Sequence, residues 1–144
     1  MIRHAGLVAR RICGLWRGAL IEGPSGAGKS DLALRTLEAG FRLVADDRVV
    51  VFASGGRLYG RAPDPLSGLI EARGLGVVPE PAIALSEIAV LVRCVEAADR
   101  VERMPEPRLE TVMGVSIPVF DLWPFEPAAP AKIGRMLEHL GVGP

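Results

Sequence analysis

The chain has 144 residues, 49% of them apolar, and its seventeen basic and seventeen acidic residues cancel. That length suits one domain around one core, and balanced charge excludes an extended electrostatic footprint for nucleic acid or an anionic membrane. No apolar run approaches the roughly 18 residues needed to cross a bilayer, and residues 1–11 lack the apolar segment of a secretory signal, so the expected location is cytoplasmic.

Residues 17–22 are the first predicted strand. They are followed by a glycine-rich loop and a helix over 31–39, with apolar positions at Leu32, Ala33, Leu34 and Leu37 and a stop at Gly40. Residues 41–47 form an apolar run ending in two acids. A strand over 49–52, a Ser54-Gly55-Gly56 turn and a return strand over 57–61 then read as a hairpin. The helix is therefore expected to join two parallel strands. Residues 62–68 are a loop rich in turn formers, and residues 69–78, with two glycines and poor alternation, make an irregular strand. Apolar β runs follow at 88–94 and 115–122, separated by the charged stretch 96–110. A helix over 130–141 closes the chain, with Pro130 in its first turn and Gly141 past its last. Twelve prolines and seventeen glycines favour many short elements over a long bundle. Cys13 and Cys94 form no metal or disulfide pattern and are expected to be buried thiols.

Gly23-Pro24-Ser25-Gly26-Ala27-Gly28-Lys29-Ser30 fits G-x-x-x-x-G-K-S, placed between an apolar strand and an amphipathic helix. Such a loop aims several backbone N–H groups at one point, and its glycines let an anion approach the backbone. The Lys29 ammonium suits the β and γ phosphates, and the Ser30 hydroxyl suits a magnesium ion. Lys29 and Lys132 are the two lysines in a chain that otherwise uses arginine, which fits a place where a compact ammonium is needed. Asp46 and Asp47 end the strand after the loop helix, where ligands lie in open α/β sheets. One acid of the pair can serve the metal while its neighbour accepts a proton from an attacking hydroxyl. Glu71 is a candidate second metal ligand.

Three blocks in register over residues 18–78 resemble the C-terminal catalytic domain of HPr kinase/phosphorylase. They are the phosphate loop continued through Asp31-Leu32-Ala33-Leu34, then Arg42-Leu43-Val44-Ala45-Asp46-Asp47, then Ile70-Glu71-Ala72-Arg73-Gly74-Leu75-Gly76, which is similar to the family signature E-x-R-G-L-G. The resemblance implies an α/β fold: a P-loop kinase-like domain with a mixed, strand-rich central sheet and few helices, similar to the phosphoenolpyruvate carboxykinase type. It further implies an ATP- and Mg²⁺-dependent serine kinase acting on an HPr-like phosphocarrier, able to run in reverse as a phosphorylase. Lys29 would be catalytic, Ser30 and Glu71 would hold the metal, Asp47 would be the base and Asp46 would assist it. The family's active-site arginine implies Arg103, with Arg100 as its rival. Its upstream histidine implies His4, at a longer spacing to Gly23 than usual. The chain begins close to the catalytic domain and so looks like a short form. Pro124-Phe125-Glu126-Pro127 stands where the family has a basic stretch associated with dephosphorylation. A homo-oligomer, a hexamer in relatives, is implied as well. Two other readings share the loop: a small-molecule kinase using residues 100–108 as a closing segment, and a catalytically idle nucleotide-binding regulatory module.

Overall fold

The computed structural model of the chain describes residues 1–140. Its framework is a set of tight hairpins around one phosphate-loop unit. β2 (Ala5–Ile12) and β3 (Leu15–Glu22) pair along their whole length, from Ala5 opposite Glu22 to Ile12 opposite Leu15. Their two-residue turn, Cys13-Gly14, has positive φ at both positions, the conformation that matches the twist of the flanking strands. The same device joins β5 (Val49–Ser54) to β6 (Arg57–Arg61) through Gly55-Gly56, and β10 (Leu109–Val112) to β11 (Val115–Leu122) through Met113-Gly114. Cys13 therefore sits exposed at a turn tip, not in the core, whereas Cys94 is buried as expected.

α1 (Lys29–Glu38) buries Leu32, Ala33 and Thr36 against the sheet and carries an exposed Asp31–Arg35 pair at 3.0 Å, one turn apart. It ends where Gly40 takes φ 94°: the Gly40 N–H donates to the Leu37 carbonyl and the Phe41 N–H to the Thr36 carbonyl. These are the two reversed bonds of a Schellman ending, sealed by burial of Phe41.

β4 (Arg42–Ala45) does not lie beside β3. The order along the main sheet is β1 (Ile2–Arg3), β5, β6, β9 (Ser86–Cys94), β3, β2, β4, so β2 stands between the two strands that α1 connects. Since β2 is antiparallel to both, β3 and β4 still point the same way and end at the same rim. β9 runs parallel to β3; β6 pairs with its start and β11, parallel, with its end. Residues 69–78 form a separate hairpin of β7 (Leu69–Ala72) and β8 (Gly76–Pro79), rather than one irregular strand. The closing helix runs over the expected residues but changes pitch: α2 (Ala129–Arg135) passes into a π-helical turn at Met136–Leu140, and Gly141 lies outside the described residues. Among the described residues no helix is long and apolar enough to cross a membrane.

The sheet divides what the length suggested would be one core into two apolar clusters. On one face Ile21, Val92 and Leu43 meet Leu32 of α1, Ile133 of α2, and Leu137. On the other, Leu7, Leu20 and Leu91 meet Val51, Leu58, Ile117 and Val119. Each fully buried side chain of this size contributes about 1.5–3 kcal/mol, so both layers hold the central strands β2, β3 and β9 in place. Those strands carry the loop at their rim.

Candidate active site

The phosphate loop leaves β3 at Glu22, a residue held by Arg3 at 2.6 Å; Arg3 also reaches Glu110, which pairs in turn with Arg93. The hydrogen bond to Glu22, together with both carboxylate charges, raises the Arg3 pKa, so this brace under the strand end stays charged. Gly26 and Gly28 take φ 81° and 98°, backbone that side chains rarely adopt. Gly28 is also the N-cap of α1, and no side chain caps that helix end. First-turn amides with no side-chain acceptor, beside glycines that keep the approach open, suit a bound anion and fit the phosphates of a nucleotide. Lys29 stays with the loop, its Nζ donating to the carbonyls of Gly23 at 2.6 Å and Pro24 at 3.1 Å.

The two aspartates, adjacent in sequence, have separate circumstances. Asp46 is 8% exposed and uses both oxygens: Oδ1 accepts from Ser30 Oγ at 2.8 Å, and Oδ2 accepts from the Glu71 N–H at 2.9 Å. One carboxylate thus joins the loop to the signature strand. Asp47 is exposed, with a loose contact to Arg48 at 3.9 Å. Its φ is 67°, and the Arg48 N–H closes onto the Asp46 carbonyl at 2.7 Å, a γ-turn of the rare positive-φ kind. Strain of this sort at a non-glycine residue persists where the surroundings impose it, and it gathers at functional sites. Here the surroundings include the Ala5 N–H, which donates to the Asp47 carbonyl at 3.1 Å.

That bond also explains His4. The long spacing to Gly23 is absorbed as paired residues of the β2–β3 hairpin, so the positions just beyond the Ala5–Glu22 pair are His4 and Gly23. His4 is exposed at the loop's own end of the sheet. Arg100 and Arg103 both lie on the exposed connection between β9 and β10, and no ion pair ties either to the loop.

Ser30 fits a hard cation. With its proton given to Asp46, the hydroxyl keeps its lone pairs for a metal. Glu71 offers an exposed carboxylate from the strand bonded to the same aspartate. Among the described residues no three His, Cys, Asp or Glu side chains form a protein-only cage.

The other flank of the loop was not read from the sequence. The Phe125 ring lies against Gly28, and Cys94 packs behind Gly23. Burial pushes the Cys94 thiol up to about 11, against an opposing pull from Lys29 and Arg35, which leaves it neutral. No motif marks Phe125; the X-Pro-aromatic step after an apolar strand was its sole signal.

Residues 3–122 match the family of the HPr Serine kinase C-terminal domain. The chain belongs to this family. It is 47% identical over 66 residues to the HPr kinase/phosphorylase of Clostridium tetani, and 50% identical over 62 residues to that of Streptococcus thermophilus. These matches span 46% and 42% of this chain but only 22% and 20% of the relatives. The structure described as the Hpr(Ser) kinase/phosphatase from Coxiella burnetii has the same fold, with a TM-score of 0.78 at 23% identity over 94% of this chain and 87% of that one. The mixed, strand-rich sheet with few helices is thus the fold of the HPr kinase C-terminal domain.

Proposed function

We propose that the chain is the catalytic domain of a serine protein kinase that moves the γ-phosphoryl group of ATP to an HPr-like phosphocarrier, and that the same site releases it to inorganic phosphate in reverse. The observation that carries this reading is the Asp46 carboxylate, which ties Ser30 of the phosphate loop to Glu71 of the signature strand and so gathers three sequence-distant blocks at one rim.

The loop from Gly23 through Pro24, Ser25, Gly26, Ala27 and Gly28 to Lys29 and Ser30 would cradle the phosphates with its amides. Lys29 would exchange its carbonyl partners for phosphate oxygens and oppose the charge that builds in transfer. Magnesium, held by Ser30 and Glu71, would neutralise charge on the β and γ phosphates. Asp46, by accepting the Ser30 proton, would leave the hydroxyl's lone pairs available to the metal. Asp47, exposed and set by its γ-turn, would accept the proton of the incoming serine as the serine oxygen bonds to the γ phosphorus and the bond to ADP breaks. In reverse, an oxygen of inorganic phosphate would attack the phosphoserine phosphorus, forming pyrophosphate as the phosphorus–serine oxygen bond breaks, and Asp47 would return its proton to the departing serine oxygen. His4, beside the loop's start, and Arg103, from the β9–β10 connection, would steady the transferring group. The same reading places the chain in the cytoplasm as a homo-oligomer, a hexamer on the family pattern, and the exposed Leu75 and Val77 of the β7–β8 hairpin offer apolar surface for a contact between copies.

The test is incubation with HPr, ATP and Mg²⁺, mass mapping of the product, and a phosphate chase. A single phosphoserine that the chase removes is expected. Absence of phosphoserine alongside labelling of a metabolite hydroxyl would overturn the reading in favour of a small-molecule kinase.

A further inference from the structure

On the flank of the phosphate loop away from the aspartates, a cavity of about 350 Å³ opens between the loop residues Ser25 and Gly26, Cys94 at the end of β9 with Glu96 just past it, and the ring of Phe125. Its size is that of a small-molecule site. Phe125 is 53% exposed, yet its position is built. Arg35 of α1 donates to the carbonyls on either side of it, those of Pro124 and Glu126, and Lys132 pairs with the Glu126 carboxylate. The helix that opens from the phosphate loop therefore also fixes the segment that carries the ring. The edge of Trp123 backs that ring at 6.4 Å and 73°. Where the ring meets Gly28, an added Cβ would come within 2.7 Å of Phe125 Cζ, so only glycine admits this contact undisturbed.

The cavity's chemistry selects its occupant. An aromatic face and a neutral thiol offer stacking and apolar contact, and the Glu96 carboxylate at the mouth accepts hydrogen bonds while repelling phosphate. A planar, uncharged group with N–H or O–H donors fits. Placement agrees: β9 and β4 lie on opposite sides of β3 in the sheet, so cavity and aspartates flank the loop from opposite sides. Phosphates running along the loop with the terminal one near Ser30 would leave the sugar on the Phe125 side.

We infer that this cavity holds the nucleoside end of ATP, with the base stacked on Phe125 and the Glu96 carboxylate accepting from the nucleoside's donors, an assignment that rests on the loop being an ATP site. Phe125 is then a specificity-determining residue and Arg35 a positioning residue that acts through it.

Calorimetric titration of the whole chain with MgATP and, separately, with magnesium tripolyphosphate tests this. Base stacking contributes enough that Phe125→Ala should weaken ATP about tenfold while tripolyphosphate changes less than about twofold. Phe125→Leu, which restores an apolar cover over Gly28 without a stacking face, should stay weak for ATP, and Arg35→Ala should shift ATP the same way by less. The inference is overturned if ATP and tripolyphosphate weaken together, if neither changes, or if leucine restores ATP. Wild-type protein that binds tripolyphosphate as tightly as ATP would sink the base site alone; wild-type protein that binds neither would sink the loop reading with it.

Discussion

On the β4 side of the phosphate loop, Asp46 is buried and both of its oxygens are bonded to the residues that flank it, whereas on the β9 side Phe125 is half exposed and its place is set through neighbouring backbone carbonyls. The difference is one of tolerance. A buried carboxylate with two donors leaves unbonded polar groups behind whenever it is altered, so that flank changes only at a cost in stability. An exposed ring over a cavity can be exchanged for another side chain with the fold intact, so that flank is free to set what is bound. The acid flank is suited to chemistry that must be fixed, and the aromatic flank to recognition.

Lys29→Ala tests the loop that both flanks share, and its effect should be the largest: transfer of labelled γ phosphate should fall by about a thousandfold, because one preorganised charge at the developing anion is lost. A thermal melt should show the variant folded. Asp46→Ala attacks the rigid flank. It strips the Ser30 hydroxyl and the Glu71 amide of their acceptor, and unfolding in urea should show a loss of about 2–4 kcal/mol together with loss of activity. If stability holds, the two flanks do not differ in the way described.

Gly28→Ala bears on both flanks at once. Its φ of 98° costs a side chain about 1–2 kcal/mol, and the new methyl pushes the Phe125 ring away. Magnesium tripolyphosphate should weaken by about tenfold and MgATP by more, because ATP loses the stacking face along with the loop conformation, whereas the Phe125 variants spare tripolyphosphate. The smallest effect concerns Cys94. Burial raises its pKa in the folded protein from an ordinary thiol value of about 9 to about 11, so the folded protein holds a proton that the unfolded chain gives up. Stability from this group is whole below about pH 9 and is lost as pH rises from 9 toward 11, by on the order of 1–2 kcal/mol. Denaturation curves of wild type and Cys94→Ala taken across that window should therefore converge as pH rises.

The rigid flank was legible because its chemistry uses fixed residue types at fixed spacings. The loop, the aspartate pair and the signature Glu71 could be named from the sequence, as could the Gly40 helix stop and the Gly55-Gly56 turn. What separates Asp46 from Asp47 was not legible, since burial and a γ-turn distinguish two residues that look alike in the chain. β2 escaped notice because it is buried on both faces at residues 5–9, which erases the alternation that marks a half-buried strand. Without β2, the sequence gives the parallel direction of β3 and β4 but not the strand that separates them. Its turn, Cys13-Gly14, and the Met113-Gly114 turn of the β10–β11 hairpin lack the Asn or Asp that usually announces such a turn. For the same reason the sequence alone reads Cys13 as a core thiol, whereas it is exposed at the turn. Phe125 was missed because its place depends on Arg35, ninety positions away in the chain, and on a glycine that leaves room for its ring.

The central claim is that Asp47 takes the proton of the accepting serine while the rest of the site holds the nucleotide. Asp47→Asn isolates that step, because asparagine is isosteric and carries the same backbone strain. The measurement is the transfer rate onto HPr set beside the dissociation constant for MgATP, in wild type and variant. The account predicts a rate lower by about a hundredfold to ten-thousandfold with the dissociation constant changed less than about twofold. An undiminished rate, or a parallel loss of rate and binding, would contradict it.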